Sequence, residues 1–97
     1  MRLSLTEIEI IKSTILKYTK DTIILLFGSR VYDNKKGGDI DLLVQTSSNI
    51  KLKDKIKILT VLEINGIDRK VDLLFKTPYI KEQSIFKTAL KEGVVLW

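Results

Sequence analysis

Cysteine and histidine are both absent from this 97-residue chain. Without cysteine there is no disulfide scaffold, no thiolate zinc site and no thiol nucleophile. Without histidine there is no Ser-His-Asp triad, no zinc-protease chemistry and no acid–base catalysis by imidazole. Any metal must then be held by oxygen ligands, which favours hard cations such as magnesium or manganese. No apolar run approaches the roughly 18–20 residues of a membrane span. The N-terminal Met1-Arg2-Leu3-Ser4 lacks the apolar core and cleavage site of a signal peptide, so the expected location is the cytoplasm.

The length predicts one domain over residues 1–97. A chain of this size buries about 60–65% of the surface it exposes when unfolded, enough for a modest core. Its apolar fraction is 44%, that of an ordinary globular domain. Seventeen Lys and Arg against twelve Asp and Glu give a net charge of +5. That balance suits an anionic partner: a nucleotide, a nucleic acid or an acidic protein.

Helical and strand-like stretches alternate along the chain, with no linker, repeat or low-complexity segment. Thr6 followed by Glu7 and Glu9 reads as a cap, and Ile8, Ile11, Ile15 and Tyr18 recur at helical spacing, predicting a helix over 6–19. The run Thr22-Ile23-Ile24-Leu25-Leu26-Phe27 predicts a strand buried on both faces. Gly28-Ser29 ends it, and a short polar helix or loop covers about 30–36. Asp39-Ile40-Asp41-Leu42-Leu43-Val44 is a second strand. Residues 51–65 form a helix with Leu52, Ile56, Leu59 and Leu62 along one side, lysines on the other and Gly66 as its stop. Lys70 to Phe75 is a third strand. Thr77-Pro78 opens a helix to about Glu92, Gly93 ends it, and 94–97 is a terminal strand. The pattern predicts an α/β (α+β) domain with a small mixed central sheet and helices mainly on one face.

The chemistry concentrates in Gly28-Ser29-Arg30 and Asp39-Ile40-Asp41. Residues i and i+2 of a strand point to the same face, so Asp39 and Asp41 place two carboxylates side by side. They repel unless they share cations, and a metal pair is the geometry that clamps the attacking and leaving oxygens of an in-line phosphoryl displacement. A strand ending in Gly-Ser offers free backbone N–H groups and a hydroxyl, and the bare glycine lets a phosphate approach the backbone. Arg30 stands where it can reach a phosphate or simply face solvent. Asp72 interrupts an apolar strand, where an unpaired buried acid is costly. It either completes the acid cluster, as metal ligand or general base, or pairs with Lys70 or Arg69.

These residues give the chain a resemblance to the minimal nucleotidyltransferase (MNT) domains of the DNA polymerase beta superfamily. The shared pattern is Gly-Ser, a spacer, Asp-x-Asp and a later strand-borne Asp, matched here by Gly28, Ser29, Asp39, Asp41 and Asp72. The closing Glu92-Gly93-Val94-Val95-Leu96-Trp97 also resembles the end of many MNT chains. Two departures stand out: nine residues separate Ser29 from Asp39, one fewer than is commonest, and Val31-Tyr32-Asp33 replaces the usual small residue and glycine after Gly-Ser-Arg. The resemblance implies the nucleotidyltransferase fold and transfer of AMP from ATP to a hydroxyl acceptor, with two Mg²⁺ ions held by Asp39, Asp41 and Asp72 and the nucleotide by Gly28, Ser29 and Arg30. It also implies an antitoxin whose acceptor is a tyrosine of a helical HEPN toxin. The alternatives are a binding module that silences its partner by occlusion and a nucleotidyltransferase acting on a small molecule.

Direct nucleic-acid binding is not expected. Lys51, Lys53, Lys55 and Lys57 do not share one helix face, because alternate residues lie about 200° apart around the axis. They read as the solvated flank of a helix. Tyr18, Tyr32 and Tyr79 read as packing residues, and Trp97 as a residue of the sheet edge or of a subunit contact.

Overall fold

The computed structural model describes residues 3–28 and 39–97. Helix α1 spans Leu5–Tyr18 and begins two residues earlier than the Thr6 cap implies. The cap is Ser4: its hydroxyl accepts from the Glu7 N–H at 3.1 Å, and the Glu7 carboxylate accepts from the Ser4 N–H at 3.0 Å. This reciprocal pair satisfies two N–H groups that the first turn leaves without partners. Leu3 ahead of the cap and Ile8 in the next turn both join the core, fixing the entry of the helix. Ile11 and Ile15 are fully buried beneath it.

Strand β1 (Ile23–Phe27) is buried from Ile24 onward, as its continuous apolar run demands. Strand β2 (Ile40–Gln45) runs antiparallel to it, and β3 (Val71–Lys76) lies parallel to β2. Strand β4 (Val94–Val95) pairs antiparallel with the other side of β1, giving the order β3-β2-β1-β4. Helix α2 (Leu52–Ile64) makes the crossover that two parallel neighbours require. The Asp54 carboxylate caps its start by accepting from the Lys51 N–H, and Gly66, at φ +108°, ends it as expected. Helix α3 spans Ser84–Glu92.

Two expectations need correction. Thr77-Pro78 does not open a helix. The Thr77 hydroxyl accepts from the Tyr79 N–H at 3.1 Å, its carbonyl accepts from Ile80, and the chain then runs on to Gln83 before α3 starts. The single turn lets Ile80 pack inward against the core, which a helix from residue 78 would not preserve. In α2, Ile58 and Leu62 are buried, whereas Leu52 and Ile56 face solvent and Leu59 is half-buried. The stretch at 30–36 lies outside the described residues.

The sheet has a helix layer on each side. On one face α1 and α2 cover Ile24, Leu26, Ile40, Leu42, Val44, Leu73 and Phe75. On the other, α3 lays Phe86 and Ala89 over Leu25, Phe27 and Leu43. Two of the three described helices thus share a face, in line with the expected one-sided bias. Among the described residues no helix is long and apolar enough to cross a membrane.

Candidate active site

Alternation along β2 sends Ile40, Leu42 and Val44 toward α1 and α2, and Asp41, Leu43 and Gln45 toward the face of α3. Parallel pairing sets Asp72 of β3 directly beside Asp41, and antiparallel pairing sets Phe27 of β1 on its other side. Adjacent strands lie about 4.8 Å apart, so the two carboxyls must meet. They come within hydrogen-bonding reach, Asp41 donating when protonated. Both stand at one end of the α3 face, where β1 finishes and β2 and β3 begin. Leu43 and Leu74 follow them along the strands beneath Phe86.

Gly28 closes this end of the sheet. Its φ of +76° is left-handed, and a Cβ there would collide with Asp41 Oδ2 and stand 3.1 Å from the Asp41 Cγ. Only a residue without a side chain leaves the carboxylate its place. The Gly-Ser turn and the Asp-x-Asp strand are therefore in direct contact at Gly28 and Asp41. Ser29 and Arg30 lie outside the described residues.

Among the described residues the cluster is only partly compensated. Burial first, then the hydrogen bond to Asp72, then the negative charges of Asp72 and Asp39, hold the Asp41 carboxyl above its ordinary value of 3.8. Lys70 opposes this and forms an ion pair with Asp72 at 3.8 Å. The alternative suggested for Asp72, pairing with Lys70, is thus present together with its contact to Asp41. Lys70 is 72% exposed and Asp72 46% exposed, so the pair is well screened. Asp39 is exposed and acts on Asp41 through space. Among the described residues, no three carboxylates are gathered closely enough to form a ready-made metal site. The donor set nevertheless suits a hard cation: all ligands are oxygens, two acids touch, and one lysine only partly neutralises them.

Comparison with solved structures places the fold. The chain aligns over 96% of its length with 70% of an MNT antitoxin chain, in complex with a tri-AMPylated HEPN toxin of Shewanella oneidensis, at TM-score 0.69 and 23% identity. It aligns over 93% of its length with 72% of a chain of a toxin–antitoxin complex containing AMP-PNP, at TM-score 0.74 and 20% identity. A chain of the MntA–HepT toxin–antitoxin complex gives 96% and 70% coverage, TM-score 0.68 and 22% identity. At these identities the likeness is one of fold. No curated protein sequence matches significantly. The sequence profile described as "Polymerase beta, Nucleotidyltransferase" matches residues 9–97, a span that takes in Gly28, Asp39, Asp41 and Asp72. With its sheet, its glycine turn and its paired carboxylates, the chain belongs to the polymerase beta nucleotidyltransferase family.

Proposed function

We propose that this chain, acting as a single domain over residues 1–97, transfers AMP from Mg²⁺-bound ATP to a tyrosine hydroxyl of a HEPN toxin and so serves as that toxin's antitoxin. The observation that carries this reading is the contact of Asp41 with Asp72 beside the bare backbone of Gly28. Family membership and the neighbouring MNT–HEPN complexes support it.

In this reading the Gly28 turn, continued by Ser29 and Arg30, holds the triphosphate against the end of β1. Asp41 and Asp72, with Asp39 beside them, hold the Mg²⁺ ions. Those ions, when bound, neutralise the triphosphate and the departing pyrophosphate. The acceptor oxygen bonds to the α-phosphorus, and the bond from that phosphorus to the bridging oxygen breaks. Pyrophosphate leaves with the electron pair. Asp72 takes the acceptor proton. In this reading the acceptor hydroxyl arrives on the toxin.

The test is incubation with [α-³²P]ATP, Mg²⁺ and the HEPN toxin. The expected result is label on a toxin tyrosine, lost with EDTA and with the double variant Asp39→Asn/Asp41→Asn. Absence of both transfer and ATP binding, with the toxin present, overturns the reading. A second reading, silencing by occlusion alone, draws on the lack of a ready-made three-acid site among the described residues. Full neutralisation by the double variant would select it.

A further inference from the structure

Helix α2 presents an apolar ridge to solvent. Leu52 is 73% exposed and Ile56, one turn on, is 54% exposed. Their side chains lie on the same face of the helix, whereas the core takes Ile58 and Leu62 from another. Beside the ridge, between the starts of α2 and α3, a cleft of about 200 Å³ opens over β3, an edge strand of the sheet. Ile50, Leu52, Ile80 and Phe86 line it, with Lys51 and Lys55 among its walls. Lys53 and Lys57 flank the ridge on its other side. From Lys51 to Lys57 the chain carries four lysines and one aspartate, a local net charge of +3 (4 − 1). None of the four lysines forms an ion pair among the described residues.

We propose that this ridge and cleft dock an acidic amphipathic helix of a protein partner, with an apolar side chain seated between Leu52 and Phe86 and its carboxylates facing the lysines. Charge decides among occupants. A second copy of this chain offers the same +3 surface in a two-fold arrangement and is repelled. A nucleic acid would engage the lysines but leave Leu52 and Ile56 without reward, because phosphates make no use of an apolar ridge. An acidic helix satisfies both halves of the surface, as helix-in-groove recognition does. The ridge stands at the start of α2, and the cleft beside it reaches along β3 to Leu74, two residues from Asp72. Helix α2 starts beyond the far end of β2 and runs for 13 residues, about 20 Å, back toward Asp72. The ridge therefore serves to hold the partner, while the carboxylates at the start of β3 keep the chemistry.

The inference rests on the HEPN toxin as partner, and the experiment separates the two. Binding of the full chain to purified toxin is measured by calorimetry at low and physiological salt, beside AMP transfer at saturating toxin. Leu52→Asp/Ile56→Asp is expected to weaken binding at least tenfold, and Lys53→Glu/Lys57→Glu severalfold with a flatter salt dependence. Both should keep the wild-type melting temperature and the transfer rate at saturation, since all four side chains are exposed. Wild-type binding that neither variant changes overturns the docking surface alone. No wild-type binding overturns the partner assignment and the docking surface with it. Loss of RNA retention in place of toxin affinity in the lysine variant assigns the surface to nucleic acid and also overturns the proposal.

Discussion

Gly28 and Gly66 form a matched pair for testing the site. Both have positive φ, +76° and +108°, but only Gly28 has a neighbour where a side chain would go. At Gly28 that neighbour is the Asp41 carboxylate, while nothing lies within 4 Å at Gly66. Alanine at either position places an L-residue in left-handed backbone, at a cost of about 1–2 kcal/mol. The stiffer unfolded chain returns about 0.4–1 kcal/mol of this. The net loss of about 1 kcal/mol lowers the melting temperature by about 4–8 °C in a domain of this size. The two variants should therefore melt alike. They should differ in catalysis. Gly28→Ala drives the new methyl into Asp41, which must swing away, and a misplacement of about 1 Å at a reacting centre costs on the order of a hundredfold in rate. Gly66→Ala touches no site residue. The assays are thermal unfolding by circular dichroism and [α-³²P]ATP transfer to the toxin. If Gly28→Ala keeps full transfer, or if both variants lose it equally, the contact between glycine turn and carboxylate has no catalytic meaning.

Further outcomes follow from the same geometry. Asp41 has its carboxyl raised in the folded state, so its contribution to stability is fully present below the ordinary value of 3.8 and is lost as pH rises through the folded value. Asp41→Asn should accordingly raise the melting temperature at pH 7, with the gain vanishing below about pH 4; a gain equal at both pH values would contradict the assigned repulsion. Millimolar Mg²⁺ with ATP should raise the wild-type melting temperature, EDTA should reverse that, and Asp41→Asn/Asp72→Asn should show no response. Ser4→Ala should cost about 1 kcal/mol and Thr6→Ala nearly nothing in denaturant titration, because the cap of α1 is Ser4. Phe86→Ala should cost about 3–5 kcal/mol, since Phe86 is the largest fully buried side chain among the described residues.

The strands were legible because their signals are local. An unbroken apolar run marks β1, and the apolar alternation of Ile40, Leu42 and Val44 marks β2, with Asp39 just ahead of it. What sequence reasoning missed depended on choices between equally good local patterns. In α2 the sets Leu52–Ile56–Leu59 and Ile58–Leu62 both satisfy helical periodicity, and only the seat of the helix over β2 and β3 decides between them. Thr77-Pro78 carries sound capping chemistry, yet it serves a single turn because Ile80 is drawn into the core. Ser4 and Thr6 each have a glutamate three residues on, Glu7 and Glu9, and the cap falls at Ser4, where Leu3 ahead of it joins the core with Ile8. The pairing of Asp72 with Asp41 required the register of β3, which no local pattern contains.

The arrangement of charge ties these elements to function. A chain with net charge +5 has lysines enough to quench its carboxylates, yet among the described residues Lys70 is the cation that approaches the Asp41–Asp72 contact, from an exposed position and at 3.8 Å from Asp72. The other concentration of lysines sits at the opposite end of α2, a helix length away. Moving a second lysine beside Asp41 would relieve the repulsion and stabilise the fold, but it would also occupy the place of any cation that the carboxylates are proposed to bind. A substitution such as Phe27→Lys tests a different matter, because it breaks the core. Asp39→Lys is the clean probe: residue 39 is exposed and near enough to act on Asp41. It should raise the melting temperature at pH 7 in the absence of metal and abolish both the Mg²⁺-dependent gain and AMP transfer. A variant that is no more stable, or that still responds to Mg²⁺, would show that the acids at this end of the sheet are not held apart from cationic partners for the sake of a metal.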